Sequence, residues 1–394
     1  MNILFLFCAL SNLESESGTY CNLINEFARQ GHHVMVSAKG QDIPKTRMVK
    51  ENGIDVLRIK SHDFTRVSNP IKKALAYQEY VIKQLCYTKK FFGKEKVDLI
   101  FSHSIPPELA YVVKGLKKHF GCKFYIHQSD FTWQDAVAFG YFGKKSPVAL
   151  YYRYWERKTF KLADYIGCPT EGTGEFIRKE YPQLPKERFH LIPFCQQDLA
   201  VETNWDIRKQ YGLDGKFICV YGGSVGAAQR IEHMVELAEL CQEYNDIRFV
   251  LLGRGNYLET IKQMVKEKKL KNFVFIDFMP QEQYLRFLAT CDTGLIILNE
   301  KTGSPNFPSK TMSYLSMGIP VLAAVDYITD FGRFLEENNA GLWAYSDNPT
   351  ALKEELLKYY QSDVFRNEVK KNGRNLYEKI MTPEKVYKSI IKSL

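Results

Sequence analysis

At 394 residues, with 45% hydrophobic and 14% aromatic side chains, the chain is sized for two domains with substantial cores and is too apolar for a disordered tail. No apolar run approaches the ~20 residues that span a bilayer, and the nine cysteines form no C-x-x-C pair and have no histidine at metal-ligand spacing, which argues against membrane spans, zinc and a disulfide framework. The net charge of +9 is uneven: the first 200 residues hold 29 Lys and Arg against 20 Asp and Glu, and the remainder balances.

Ile3 to Cys8 is apolar but short, lacks a basic leader and runs into Ser11-Asn12, so it reads as a first strand and not as a signal peptide. The turn Ser15-Glu16-Ser17-Gly18-Thr19 leads into a helix whose apolar side is Leu23, Ile24, Phe27 and Ala28, and Gly31 ends it. Strands are predicted at Val34–Ala38, Asp55–Ile59, Asp98–Ser102, Lys123–His127 and Tyr165–Cys168, with helices over 70–92, 107–119, 147–162 and 172–180. That alternation predicts a doubly wound parallel sheet. Gly18, at the carboxyl end of the first strand, lets backbone approach a ligand with no Cβ in the way. His127 closes its strand in YIHQSD and His103 closes the neighbouring one in IFSHS. Both fall at the edge where open α/β sheets bind ligands, although a lone histidine is commonly a core group.

Lys72-Lys73, Lys89-Lys90, Lys94, Lys96, Lys114, Lys117-Lys118 and Lys144-Lys145, several beside aromatics, read either as solvated helix faces or as a surface for anionic lipid or an anionic acceptor. No helix-turn-helix, zinc-finger or RNA-binding pattern accompanies this charge, so no nucleic-acid partner is expected.

A second alternating series follows the strand Phe189–Phe194. Phe217–Tyr221 is a strand, GGSVGAAQR a glycine-rich turn, and Ile231, Met234, Val235, Leu237 and Ala238 the buried side of the next helix. Further strands are predicted at Phe249–Leu252, Phe273–Ile276, Gly294–Leu298 and Val321–Ala324, and a helical tail from Leu352. The reading gives a first Rossmann-like domain over 1–198, a second over 199–375, and a terminal helix over 376–394 that crosses back onto the first. A hinge is expected near Phe194 to Asn204. Within SPNFPSKTMSYLSMGIPVLAA, residues 304–324, a proline-rich loop runs into a short helix starting near Ser309, where unpaired N–H groups, the positive end of the dipole and Lys310 favour an anion. The alternative is that Ser309 is only an N-cap.

Taken in order, these segments, above all RFHLIPF and the run from PSK to GIPVLA, resemble the retaining glycosyltransferases of family 4, which have the GT-B fold. The closest resemblance is to bacterial enzymes of capsule, exopolysaccharide and O-antigen assembly. The resemblance implies two Rossmann-like domains facing across a cleft, with the nucleotide-sugar donor, most readily a UDP-sugar, on the second and the acceptor on the first. It implies no cofactor and no metal, because protein groups neutralise the departing diphosphate. His127 matches the family histidine near the donor sugar, and with Asp130 is the catalytic candidate. Gly18, Gly222, Gly223, Gln229, Arg230 and Arg254 are expected to bind the donor, together with Pro308, Ser309, Lys310, Thr311 and Ser313. His103, Trp133 and Tyr141 are expected on the acceptor side. The implied acceptor is a saccharide or a polyprenyl-diphosphate-linked sugar. The implied location is the cytoplasm, peripheral to the anionic cytosolic face of the plasma (inner) membrane.

Four positions depart from the family pattern. Where the family carries two glutamates eight positions apart, this chain has Pro305 and Ser313, and the usual Arg and Lys of the phosphate turn fall on Gly223 and Gln229. The missing glutamates leave a second reading open, a non-catalytic GT-B protein that binds a glycan or a partner transferase. A GT-B epimerase is a third and weaker reading, since no acidic residues are placed for it.

Overall fold

The computed structural model describes residues 1–15, 18–62, 70–104, 108–203, 205–226, 229–277 and 279–394, with the backbone alone over 70–74. Glu16 and Ser17 of the first turn, the side chains of Lys72 and Lys73, Pro107 at the head of the expected 107–119 helix, Asn204 of the expected hinge and Ala227-Ala228 of the glycine-rich turn lie outside the described residues.

The chain forms two compact units, Met1–Cys195 with Pro383–Leu394, and Gln196–Thr382. In chain order the first unit contains β1 (Asn2–Phe7), α1 (Thr19–Arg29), β2 (His33–Lys39), β3 (Arg47–Glu51), β4 (Ile54–Ile59), α2 (Pro70–Phe92), β5 (Leu99–His103), α3 (Leu109–Phe120), β6 (Lys123–His127), α4 (Thr132–Ala138), α5 (Pro147–Leu162), β7 (Tyr165–Cys168), α6 (Glu171–Glu180) and β8 (Phe189–Leu191). Its eight-stranded sheet runs in the order β3-β4-β2-β1-β5-β6-β7-β8. Helices cover both faces, so β1 reads as one apolar run: Leu4, Leu6 and Cys8 enter one core, while Ile3, Phe5 and Phe7 enter the other.

The sheet is not wholly parallel, because β3 pairs antiparallel with β4, Glu51 facing Ile54. The intervening Asn52 and Gly53 both have positive φ, 49° and 77°. An Asn-Gly pair of that kind is the signature of a two-residue hairpin, and the sequence reading passed over it.

The second unit continues with α7 (Asp206–Gln210), β9 (Phe217–Ser224), α8 (Glu232–Leu240), β10 (Ile247–Arg254), α9 (Leu258–Glu267), β11 (Phe273–Ile276), α10 (Gln281–Leu288), β12 (Thr293–Ile297), α11 (Lys310–Ser316), β13 (Val321–Val325), α12 (Phe331–Glu337), β14 (Gly341–Tyr345), α13 (Pro349–Gln361) and α14 (Asp363–Ile380). Its six strands are ordered β11-β10-β9-β12-β13-β14, all parallel.

The unit boundaries differ by a few residues from the sequence reading. The first crossing falls after Cys195, and Gln196 already bonds within the second unit, its N–H donating to the Met381 carbonyl at 3.0 Å. The stretch from 376 to 380 completes α14, with the Tyr377 hydroxyl donating to the Gln196 carbonyl at 2.9 Å. Pro383 has no N–H to continue that helix and opens a new one, α15 (Pro383–Ser393), which belongs to the first unit. There Val386 and Ile390 enter the core beside Phe27, and the Tyr387 ring meets Phe27 edge-on at 4.9 Å.

Candidate active site

In the second unit the glycine pair sits at the end of a strand. β9 extends through Gly222 and Gly223 to Ser224, pairing Gly223 with Gly253 of β10. A Cβ on Gly253 would lie 2.0 Å from the Gly223 carbonyl oxygen, so these strands approach closely only with glycine there. Gly223 has φ +142°, and its missing side chain leaves space that Lys310 fills: a Cβ would fall 2.6 Å from Lys310 Cε and 3.1 Å from Nζ. Position 223, where the family resemblance calls for a cation, therefore receives its positive charge from Lys310.

The Lys310 ammonium donates to the Tyr221 hydroxyl at 3.2 Å and stands 4.5 Å from the centre of the Tyr221 ring. It has no carboxylate partner among the described residues. Burial pushes its pKa down to about 8. A cation held half-buried without a counter-charge is costly unless a ligand supplies one.

Ser309 does not cap α11, having helical φ and ψ and no side-chain bond. Thr311 N–H donates to the Pro308 carbonyl and Met312 N–H to the Ser309 carbonyl, which leaves the amides of Ser309 and Lys310 without an acceptor among the described residues. Thr311 is fully buried with an unpartnered hydroxyl, and Ser313 is half-buried, its carbonyl accepting from Met317 N–H and the Ser316 hydroxyl. The helix is fixed over the sheet by Tyr314, whose ring occupies the space beside Gly294.

Two expected donor ligands are otherwise engaged. Gln229 Oε1 accepts from Gly226 N–H at 3.0 Å, so this side chain holds the turn together. Arg230, at φ 48°, gives both Nε and Nη2 to Glu300, at 3.2 and 3.0 Å, and Glu300 also bonds His233 Nε2 at 3.0 Å. The Glu300 carboxyl is held down at about 2, burial being overcome by His233 and Arg230. Arg254 ends β10 with an exposed side chain, and its carbonyl accepts from Val225 N–H at 2.8 Å.

In the first unit His103 and His127 are neighbours in register at the ends of β5 and β6. His127 is buried and both ring nitrogens are taken. The Ile192 carbonyl, 2.9 Å from Nε2, only accepts, so Nε2 carries the proton and Nδ1 accepts from the Tyr20 hydroxyl at 3.0 Å. His127 thus has both ring nitrogens engaged, and its partner Tyr20 is a residue that the sequence reading missed. The Tyr20 ring stacks on His103 with centroids 5.0 Å apart. Nothing marks it in the sequence beyond its place, two residues after Gly18.

Burial pushes His127 down to about 4, against the pull of the Ile192 carbonyl. Its ordinary value is about 6.5, so as pH falls from about 6.5 to 4 the unfolded chain takes a proton that the folded chain refuses. Stability from this group is complete above that window and falls by about 3 kcal/mol across it. Thermal unfolding between pH 7 and 4.5 should show a shallower loss for His127→Gln than for wild type. Parallel curves would remove His127 from the acid response.

Asp130 is exposed, accepts from the Ser129 hydroxyl at 2.7 Å, and is steadied by its N–H donating to Ser104 Oγ at 3.2 Å. Gly18 has extended backbone, φ −162°, and a Cβ there would meet nothing within 4 Å. The position is open, and its backbone does not require glycine. Trp133 is 4% exposed and gives its indole N–H to Glu156 at 3.1 Å, and it lines a small cleft with Ser104 and Asp130. Glu156 also accepts from the Tyr181 hydroxyl at 2.6 Å, and burial pushes its pKa up. Tyr141, by contrast, is 76% exposed.

The loop from β1 to α1, which carries Gly18, is held by a buried pair. Arg58 donates Nε and Nη2 to the Glu51 carboxylate at 2.8 and 2.7 Å, and also reaches the carbonyls of Leu10 at 2.6 Å and Ser11 at 2.9 Å. Glu51 in turn accepts from Leu13 N–H at 2.9 Å. Neither Arg58 nor Glu51 was singled out from the sequence.

Among the described residues no group of three His, Cys, Asp or Glu is placed to hold a metal ion, and no helix is long and apolar enough to cross a membrane.

Residues 19–194 match the family described as Glycosyltransferase Family 4, and residues 203–376 match Glycosyl transferases group 1. The chain is 27% identical over 143 residues to alpha-D-kanosaminyltransferase of Streptomyces kanamyceticus, covering 34% of this chain and 36% of that protein. It is 24% identical over 131 residues to WcaI of Escherichia coli, described as a colanic acid biosynthesis glycosyl transferase, covering 33% and 32%. The alignments thus span about a third of these curated relatives. HepE of Anabaena, solved with UDP and glucose, superposes with a TM-score of 0.71 at 14% identity, covering 100% of this chain and 99% of that one. That likeness establishes the GT-B fold. With both halves matched in order by the family models, the chain belongs to the family 4 glycosyltransferases.

Proposed function

We propose that the protein is a retaining, metal-independent glycosyltransferase of surface-polysaccharide assembly. It moves a sugar from a UDP-sugar to a saccharide or polyprenyl-diphosphate-linked acceptor. The observation that carries this reading is the Lys310 ammonium, half-buried against Gly223 without a carboxylate. A nucleotide diphosphate supplies the missing counter-charge, and the open amides of Ser309 and Lys310 add donors. As the C1–O bond to the diphosphate breaks, the sugar becomes oxocarbenium-like and negative charge grows on the leaving oxygen, where a fixed cation acts most strongly. Pro305 and Ser313 bring no carboxylate to this chemistry, so cations and backbone donors carry it. On the acceptor side, Tyr20, His103, Asp130 and Tyr141 offer aromatic and polar groups suited to a saccharide. The names of the relatives, a kanosaminyl transferase and a colanic acid enzyme, and the UDP bound in HepE favour the same substrate class.

Titration with UDP, GDP and dTDP tests the donor site. UDP at about 100 times its Kd should raise stability by about 2.7 kcal/mol, with smaller shifts for the other two. The absence of a shift with all three would overturn the reading and favour the non-catalytic one.

The proposed location is peripheral, on the anionic cytosolic face of the membrane. Lys89-Lys90 lie in the last turn of α2, and Lys94 and Lys96 lie between α2 and β5, which sets these clusters at the amino edge of the sheet, away from the ligand edge. The surface that supports membrane contact is α5 with the segment before it: Tyr141, Val148, Leu150, Tyr151 and Tyr154 are exposed, interspersed with Lys144, Lys145, Arg157, Lys158 and Lys161. Val148→Asp with Leu150→Asp should cut co-sedimentation with anionic vesicles several-fold, while neutralising Lys89, Lys90, Lys94 and Lys96 should leave most of it. The reverse ranking would move the contact to the other edge.

A further inference from the structure

A groove of about 460 Å³ lies between the outer face of α5 and the turn after α6, lined by Leu150, Arg153, Tyr154, Arg157, Glu180, Tyr181 and Gln183. The spacing of α5 builds it. Leu150 and Tyr154 are one turn apart, as are Arg153 and Arg157, so an apolar stripe runs beside a basic one. Leu150 is 53% and Tyr154 54% exposed. Arg157 makes no ion pair among the described residues. Arg153 has one carboxylate near it, Glu180 at 3.8 Å, a loose and partly exposed pair. Lys158 stands 5.2 Å from the centre of the Tyr154 ring and adds a third cation at the rim. Tyr181 spends its hydroxyl on the buried Glu156, so it offers the groove no polar group to compete with a ligand.

Two guanidinium groups on one helix face suit the oxygens of a single phosphate, which they hold in bidentate fashion. The adjoining leucine and tyrosine suit hydrocarbon. We propose that this groove binds the phosphate head of a membrane lipid, with Arg153 and Arg157 on the phosphate and Leu150 and Tyr154 against the start of the chains. The inference rests on the membrane reading above and deepens it. Glu180 sharpens the selectivity: the ligand must displace it from Arg153, which favours a phosphomonoester near charge −2 over a phosphodiester of charge −1.

The test uses the whole chain and a short-chain phosphatidic acid kept below its micellar concentration, titrated beside inorganic phosphate. Anionic vesicles of phosphatidic acid or phosphatidylserine at equal surface charge form a second arm. The short-chain lipid should saturate a single site, inorganic phosphate should bind about tenfold or more weakly for lack of the apolar half, and phosphatidic acid vesicles should be preferred. Arg153→Lys with Arg157→Lys preserves charge and helix but removes the fork, and should weaken short-chain binding about tenfold while UDP affinity stays unchanged. Equal binding by that variant, or no saturation by wild type, would overturn the site. Vesicle binding without short-chain binding sinks the groove and spares the membrane face. Short-chain binding without vesicle binding supports the groove and removes the membrane face.

Discussion

Replacing Lys310 with methionine is expected to make the free protein more stable and the proposed donor bind more weakly. Burial holds the Lys310 ammonium at about 8, below the ~10.5 of a free lysine. Because the folded-state pKa is depressed, the charge costs stability below pH 8, and the cost is relieved as pH rises from about 8 to 10.5. After allowance for residual solvent exposure, methionine should gain about 2 kcal/mol at pH 7, seen as a higher denaturation midpoint. The same change removes a charge-assisted contact to diphosphate worth about 1.5–3 kcal/mol, so UDP affinity should fall roughly 10- to 150-fold. Wild-type affinity should also decline as pH rises past 8, since the neutral amine no longer attracts the anion, and the variant should lack that decline. A variant that loses stability, or that binds UDP as wild type does, would take Lys310 out of the site.

Arg58→Leu is expected to give the largest loss of stability. It strands the Glu51 carboxylate in the interior and removes the donors to the carbonyls of Leu10 and Ser11. Breaking a buried pair from one side costs about 3–5 kcal/mol. Replacing both partners with leucine should recover much of that, because no buried charge is then left alone. Equilibrium denaturation of the three proteins distinguishes a buried pair from a solvated one, for which all changes would stay within about 1 kcal/mol. The consequence reaches the ligand edge, since the loop these residues hold leads to Gly18.

The parallel strands were legible because both sheet faces are covered, which writes runs such as Ile3 to Cys8 into the sequence. The antiparallel β3 was legible too, in Asn52-Gly53, and went unread. Lys310 was recognisable by type and neighbourhood, but its contact with Tyr221, 89 residues away, exists only in the fold. A separation of 70 residues likewise hid Glu300, the carboxylate that engages Arg230. Trp133 was expected on the acceptor side from the resemblance alone, and its partner Glu156, on the following helix, gives no periodic signal that would have revealed the contact. His127 stood out at its strand end, yet only the fold shows Tyr20 and Ile192 satisfying both nitrogens. Residue type reports what a side chain can do, and the partners that the fold brings decide whether it is free to do it.

The most direct test of sugar transfer is a mass-spectrometric screen of the purified protein against UDP-, GDP- and dTDP-sugars, reading nucleotide release for wild type and Lys310→Met. The account predicts release of UDP from a UDP-sugar, lost or much reduced in the variant and faster when a saccharide acceptor is added. Release that is indifferent to Lys310, or none from any donor in the presence of saccharide and polyprenyl-diphosphate acceptors, would contradict it.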